Sequence, residues 1–114
     1  MYLTRIQKTE EKRTPSGVAI RWLLTEEDGA PLFEMRYFEI RKGMSTSGRP
    51  HAFEHEVYVV RGQGKIEGDD ETVAINPGDA ILIYPGEKHK FINTVEEPLG
   101  FICLIPKGME NELK

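Results

Sequence analysis

Hydrophobic and polar positions alternate in this chain with a strand-like period of two over several short stretches, and no stretch sustains a helical repeat. Glu56-Val57-Tyr58-Val59-Val60 is a β-branched and aromatic run that ends at Arg61-Gly62, which predicts a strand opened by His55. Alternation sets His55, Val57 and Val59 on one face and Glu56, Tyr58 and Val60 on the other; Glu56 is thereby turned outward. The same rule groups His89, Phe91 and Asn93. Further strands are expected over residues 1–6, 17–24, 32–40, 63–67, 71–75 and 80–84. Residues 7–16 read as a polar surface connection, 25–31 as a loop and 41–48 as a turn-rich approach to the histidines. Gly68-Asp69-Asp70 signals a hairpin, and Asn76-Pro77-Gly78-Asp79 carries proline and glycine where a type II turn needs them. Closely spaced strands of this length predict an all-β fold, either sandwich or barrel.

Two strands have faces that alternation does not orient. If Phe38 and Ile40 face the core, Arg36 joins them as a partly buried cation in need of a partner. If Phe33, Met35 and Tyr37 face inward, Arg36 is ordinary surface. In Phe101-Ile102-Cys103-Leu104-Ile105 both alternating sets are apolar, so parity does not place Cys103.

All three histidines, His51, His55 and His89, fall between Arg49 and Asn93. Neutral imidazole is the commonest protein ligand for transition metals, so this grouping points to a metal site. His51 and His55 are four residues apart, the spacing that a metalloprotease helix uses, but Ala52 stands where the general-base glutamate would be and Pro50 precedes. A straight strand would hold these two rings roughly 13 Å apart, too far for one ion with bonds of about 2 Å. His51 is therefore expected on a bend that folds back and His55 at the start of a strand. Three protein ligands leave coordination positions free, the pattern of catalytic sites. By ligand softness the set suits zinc, copper, nickel or iron.

The chain has 114 residues and a formal charge of −4, which fits one domain. The acidic balance and the lack of a basic cluster argue against nucleic acid. A single cysteine, Cys103, excludes an internal disulfide framework and agrees with a reducing compartment. No apolar stretch approaches the roughly 18 residues of a membrane span, and Met1-Tyr2-Leu3-Thr4-Arg5 has no signal-peptide core, so a cytoplasmic protein without membrane attachment is expected.

The spacing of glycines and histidines resembles the two motifs of the cupin superfamily. Gly43 is followed by Arg49-Pro50-His51, then His55, then Gly62, in the register of the first motif; Gly78, Pro85-Gly86, His89 and Asn93 keep the second, with Tyr84 replacing its first proline. A closer similarity, over residues 30–106, is to small single-domain cupins of thermophilic bacteria with four-histidine manganese sites. The resemblance implies a double-stranded β-helix, the cupin jelly-roll barrel, as a single domain over residues 1–114. Its core would span about 30–106, with N-terminal strands in 1–24 packing on the barrel or on a dimer partner. It implies one divalent ion, manganese or iron, beside zinc, nickel or copper, on His51, His55 and His89. Arg49 stands in the place of the fourth histidine, and a guanidinium has no lone pair to offer, so the set falls to three. At the rim Arg49 either faces solvent or grips an anion. Phe53, Phe91, Phe101 and Ile105 would wall an apolar cup, Cys103 would lie inward near the metal, and Asn93 would be a hydrogen-bonded structural residue. The function implied is a dioxygenase-like oxidoreductase acting on a small apolar or enolic molecule. The alternatives are a non-enzymatic binding module and a sugar-type isomerase that draws on Arg36 and Arg49. A homodimer is the usual state of such cupins, and the outward Tyr58 and Val60 would offer its surface.

Overall fold

A computed structural model describes residues 1–114. It contains nine strands: β1 (Lys12–Arg13), β2 (Ala19–Leu24), β3 (Phe33–Ile40), β4 (His55–Arg61), β5 (Gly64–Glu67), β6 (Thr72–Ile75), β7 (Ala80–Ile83), β8 (Lys90–Ile92) and β9 (Leu99–Pro106). The only helical turns are short 3-10 segments at Ile6–Lys8 and Glu26–Asp28. The strands form two antiparallel sheets, one ordered β1-β2-β3-β9-β4-β7 and the other β6-β5-β8. Their inner faces close on each other as a jelly-roll barrel, the all-β architecture that the motif resemblance implied.

Alternation explains which side chains face inward. In β4, His55, Val57 and Val59 are buried while Glu56, Tyr58 and Val60 are exposed. In β9 the set Phe101, Cys103 and Ile105 is buried and Ile102 and Leu104 are only partly covered, which resolves the face that parity left open. In β3 the inward set is Glu34, Arg36, Phe38 and Ile40. Tyr37 is also buried, although it lies on the opposite face; its hydroxyl donates to Glu39 Oε2 at 3.2 Å, and Gly100 leaves the room it occupies. Phe101 stacks between Phe38, at 5.1 Å, and Phe91, at 4.4 Å, joining the two sheets with aromatic pairs.

The strand expected over residues 1–6 does not form. Residues 1–5 are irregular, and Ile6 opens the 3-10 turn. The outer edge of β2 pairs with β1, at Lys12↔Ile20 and Arg13↔Ala19. Arg21 instead tethers the segment, donating to the carbonyl oxygens of Ile6, at 3.1 Å, and Thr9.

Two connections matter for the site. Residues 43–48 run alongside β8: Gly43 N donates to Asn93 O at 2.8 Å, Thr46 N to Phe91 O at 3.0 Å, and His89 N to Gly48 O at 3.2 Å. Gly48 has φ 72° and lies so close to Lys90 that an added Cβ would sit 2.7 Å from the Lys90 Cα, so only glycine fits here. Asn93 Nδ2 donates to the carbonyl oxygens of Ile40, at 2.8 Å, and Glu97, at 2.9 Å, while its Oδ1 accepts from Val95 N at 2.9 Å. It pins the end of β8 to the end of β3 and is no ligand.

Candidate metal centre

Each histidine is delivered by a different device. His55 is the first residue of β4 and points inward. His51 lies on the irregular segment after Pro50, and its carbonyl oxygen accepts from Gly86 N at 2.7 Å, which brings the first-motif loop against the second-motif turn. His89 sits just before β8, tied to Gly48. Fold-back of the segment brings the ligand nitrogens of His51, His55 and His89 within 4.8 Å of one another. Ring centroids are 5.1 Å apart for His51 and His55, 5.4 Å for His51 and His89, and 4.8 Å for His55 and His89.

The chemistry of these rings suits a cation. His89 Nδ1 lies 2.8 Å from the carbonyl oxygen of Glu87, which can only accept, so Nδ1 carries the proton and Nε2 keeps its lone pair. His55 Nδ1 is 3.2 Å from Cys103 Sγ, while His55 Nε2 is buried without any hydrogen-bond partner. An orphaned buried nitrogen costs about 1–3 kcal/mol, and a cation held at this point would satisfy it. Burial, followed by the neighbouring charges of His89, Arg36 and His51, pushes the His55 pKa down to about 3. Burial and His89 also lower that of His51, against a smaller opposing pull from Glu110. His51 and His55 are therefore neutral ligands at neutral pH. Burial pushes the Cys103 thiol up, only partly offset by Arg36, so it stays protonated and is not a thiolate ligand. The residues fit a divalent ion held by His51, His55 and His89.

The three rings open onto a cavity of about 370 Å³, the size of a small-molecule site. Arg36, Phe91, Phe101 and Cys103 line it, and the exposed Arg49 stands on its wall. Phe53 and Ile105, expected in that wall, are not part of it. Phe53 stacks on the His51 ring at 5.0 Å, 5.2 Å from the His55 ring, and Ile105 is buried in the core, across from Glu34 in the β3–β9 register. Apolar surface makes up the larger share of the lining, with a substantial polar part beside it. Some of the polar lining comes from segments that carry no motif: Thr14 and Ser16 before β2, and Glu110 and Glu112 beyond β9. Residues 7–16 read as surface, and nothing in local pattern marks either segment as part of a site.

Arg36 is 3% exposed. Its guanidinium lies over Phe38 at 4.8 Å and Trp22 at 5.3 Å, and Nη2 donates to Cys103 Sγ at 3.4 Å. No carboxylate pairs with it, and its Nε has no partner.

A family model for the cupin domain matches residues 36–105. The chain is 29% identical over 96 residues to the 1-methylthio-D-xylulose 5-phosphate methylsulfurylase of Rhodospirillum rubrum; the match covers 84% of this chain and 61% of that protein, so the chain spans less than two thirds of this curated relative. Its structure is similar to the polyketide cyclase RemF from Streptomyces resistomycificus, with a TM-score of 0.86, 28% identity, and coverage of 93% of this chain and 79% of that one. A cupin 2 domain-containing protein from Halorhodospira halophila is 33% identical, with a TM-score of 0.78 and coverage of 88% and 71%. The family model spans more than half of the chain, the same barrel recurs in the two solved structures, and the histidines of both motifs line one cavity: this protein belongs to the cupin domain family.

Proposed function

We propose that this cupin is a metal-dependent enzyme that acts on a small molecule through an enol or carbonyl oxygen. The observation that carries the reading is the convergence of three imidazoles, with the buried His55 Nε2 unpartnered, on one side of a small-molecule cavity. A divalent ion of manganese, iron, zinc, nickel or copper supplies Lewis-acid polarisation of that oxygen and, for a redox-active metal, access to dioxygen. The chain does the rest. Cys103 and the Glu87 carbonyl orient the rings of His55 and His89 through their Nδ1 atoms. Phe91 and Phe101 close the floor and exclude water. Glu110, on the cavity wall, offers a carboxylate that can take a proton from a bound substrate.

A dioxygenase-like oxidation is the leading reaction class. An isomerase-type reaction on an oxygen-rich, sugar-like substrate is the second reading, supported by the polar wall and by the sugar phosphate in the curated relative's name. The two are separated by incubating metal-loaded protein with enolisable compounds: the first consumes oxygen, the second exchanges substrate carbon-bound hydrogen with deuterated water anaerobically. Binding without either change would favour a non-enzymatic module. For the metal itself, wild-type protein should retain about one equivalent on dialysis and His89→Ala should lose it while keeping its β-sheet spectrum. Equal metal content in the two would overturn the reading.

We also propose that two copies pair through the outer face of β4, β7 and β9, where Tyr58 is 52%, Val60 42% and Leu82 43% exposed beside Ile102 and Leu104. Sedimentation should give a dimer that Tyr58→Asp weakens; a wild-type monomer would refute it.

A further inference from the structure

Arg36 is a cation almost wholly removed from water with no counter-ion, and such a group is costly unless something pairs with it. The ring faces of Phe38 and Trp22 recover part of the lost hydration, and the Cys103 sulphur takes one weak hydrogen bond. Neither provides a negative charge, and neither reaches Nε, which stays unpartnered. The carboxylates nearest in kind do not fill the gap. Glu34, inward on the same strand, is committed to Lys114 at 2.7 Å and to the backbone N–H groups of Glu26 and Gly108. Glu110, on the cavity wall, turns its Oε1 back onto the N–H groups of Asn111, at 2.9 Å, and Glu112, at 3.0 Å. The guanidinium opens onto the same cavity as the three imidazoles, across the β3–β9–β4 row Arg36, Cys103 and Val57.

We propose that Arg36 is a substrate-binding residue and that the cavity takes a small molecule bearing a carboxylate, whose two oxygens pair with the guanidinium while its other end reaches the histidines. This names the substrate class of the site proposed above and rests on that reading for the second end only. A carboxylate is preferred over a phosphate ester because the buried positive charge is a single guanidinium, whose planar fork matches two carboxylate oxygens. The second arginine on the cavity wall, Arg49, is exposed.

The test titrates malonate, inorganic phosphate and, as an ionic-strength control, sodium chloride into the full chain, metal-loaded and chelator-stripped, and reads the melting midpoint and calorimetric binding. Malonate should raise the midpoint of stripped wild type where chloride does not, because it binds the folded state alone. Arg36→Met should melt no lower than wild type without malonate, since an unpaired buried charge has been replaced by an apolar chain of similar length, and should bind malonate at least roughly tenfold more weakly. Arg36→Lys keeps the charge and loses the fork, so its malonate affinity should fall severalfold. If Arg36→Met melts lower and the malonate response is unchanged in both variants, the guanidinium is structural and the proposal fails. A larger response to phosphate than to malonate would overturn the carboxylate assignment. Failure of the metal reading looks different: no ion is retained, yet the Arg36-dependent response of stripped protein persists.

Discussion

His55 concentrates the physical chemistry of the site in one side chain. Its unfolded imidazole takes up a proton near pH 6.5, whereas in the fold burial and cationic neighbours delay protonation to about 3. Below pH 6.5 the unfolded chain therefore binds the extra proton, so the stability of metal-free protein is full above that pH and declines as pH falls towards 3. The slope from this residue approaches about 1.4 kcal/mol per pH unit within the window. Urea denaturation across the range should show a distinctly shallower decline for His55→Gln, and identical slopes would show that the residue is not held neutral by the fold. That His55 would face inward was legible from alternation with Val57 and Val59. That Arg36 would do so was not, because β3 has a bulky hydrophobe on either face and burial of both Tyr37 and Phe38 shows how little parity discriminates there.

Among the elements, β8 and the 43–48 segment beside it act together to set His89. Asn93→Ala would remove three hydrogen bonds at once, leaving the carbonyl oxygens of Ile40 and Glu97 and the Val95 N–H without their partner. At about 1 kcal/mol per bond, chemical denaturation should register a loss of about 3 kcal/mol. Gly48→Ala is a sharper probe of the site. Its Cβ would press on the Lys90 backbone, one residue from His89, in a left-handed conformation that alanine resists. Zinc affinity measured by competition with a chelator should drop roughly tenfold, the effect of misorienting one ligand. An unaltered affinity would mean that the His89 ring is positioned independently of this contact. The turn and strand order around these residues was readable from Pro85-Gly86 and the hairpin glycines, whereas the pairing of 43–48 with β8 joins segments more than forty positions apart and leaves no local trace.

For the molecule as a whole, the segment beyond β9 folds back against the neighbouring strands β2 and β3. Trp22 Nε1 donates to Glu112 O at 2.9 Å, Leu113 packs against the core, and Lys114 Nζ meets the buried Glu34 carboxylate at 2.7 Å. Burial by itself would raise the Glu34 pKa, but Lys114 and the N–H groups of Gly108 and Glu26 outweigh it and hold the carboxyl below its ordinary value of 4.5. Its contribution to stability is thus present above pH 4.5 and is lost as pH falls through the lowered value. Lys114→Met strands a buried carboxylate and should destabilise the protein by about 3 kcal/mol at neutral pH, with acid unfolding setting in at higher pH than in wild type. Equal thermal midpoints for the two proteins would show that the backbone donors alone suffice for Glu34.

Period-two alternation, turn glycines and the spacing of three histidines were enough to indicate strands, an all-β class and three candidate metal ligands, because each depends on residues near one another along the chain and on the two-sidedness of a strand. The burial of an unpaired arginine, the depth of Ile105, the displacement of Phe53 and the carboxylates at the mouth of the cavity depended on which distant strands and tails came to lie side by side. No local pattern encodes those contacts: they arise only once the barrel closes and every polar group inside it must find a partner or go without.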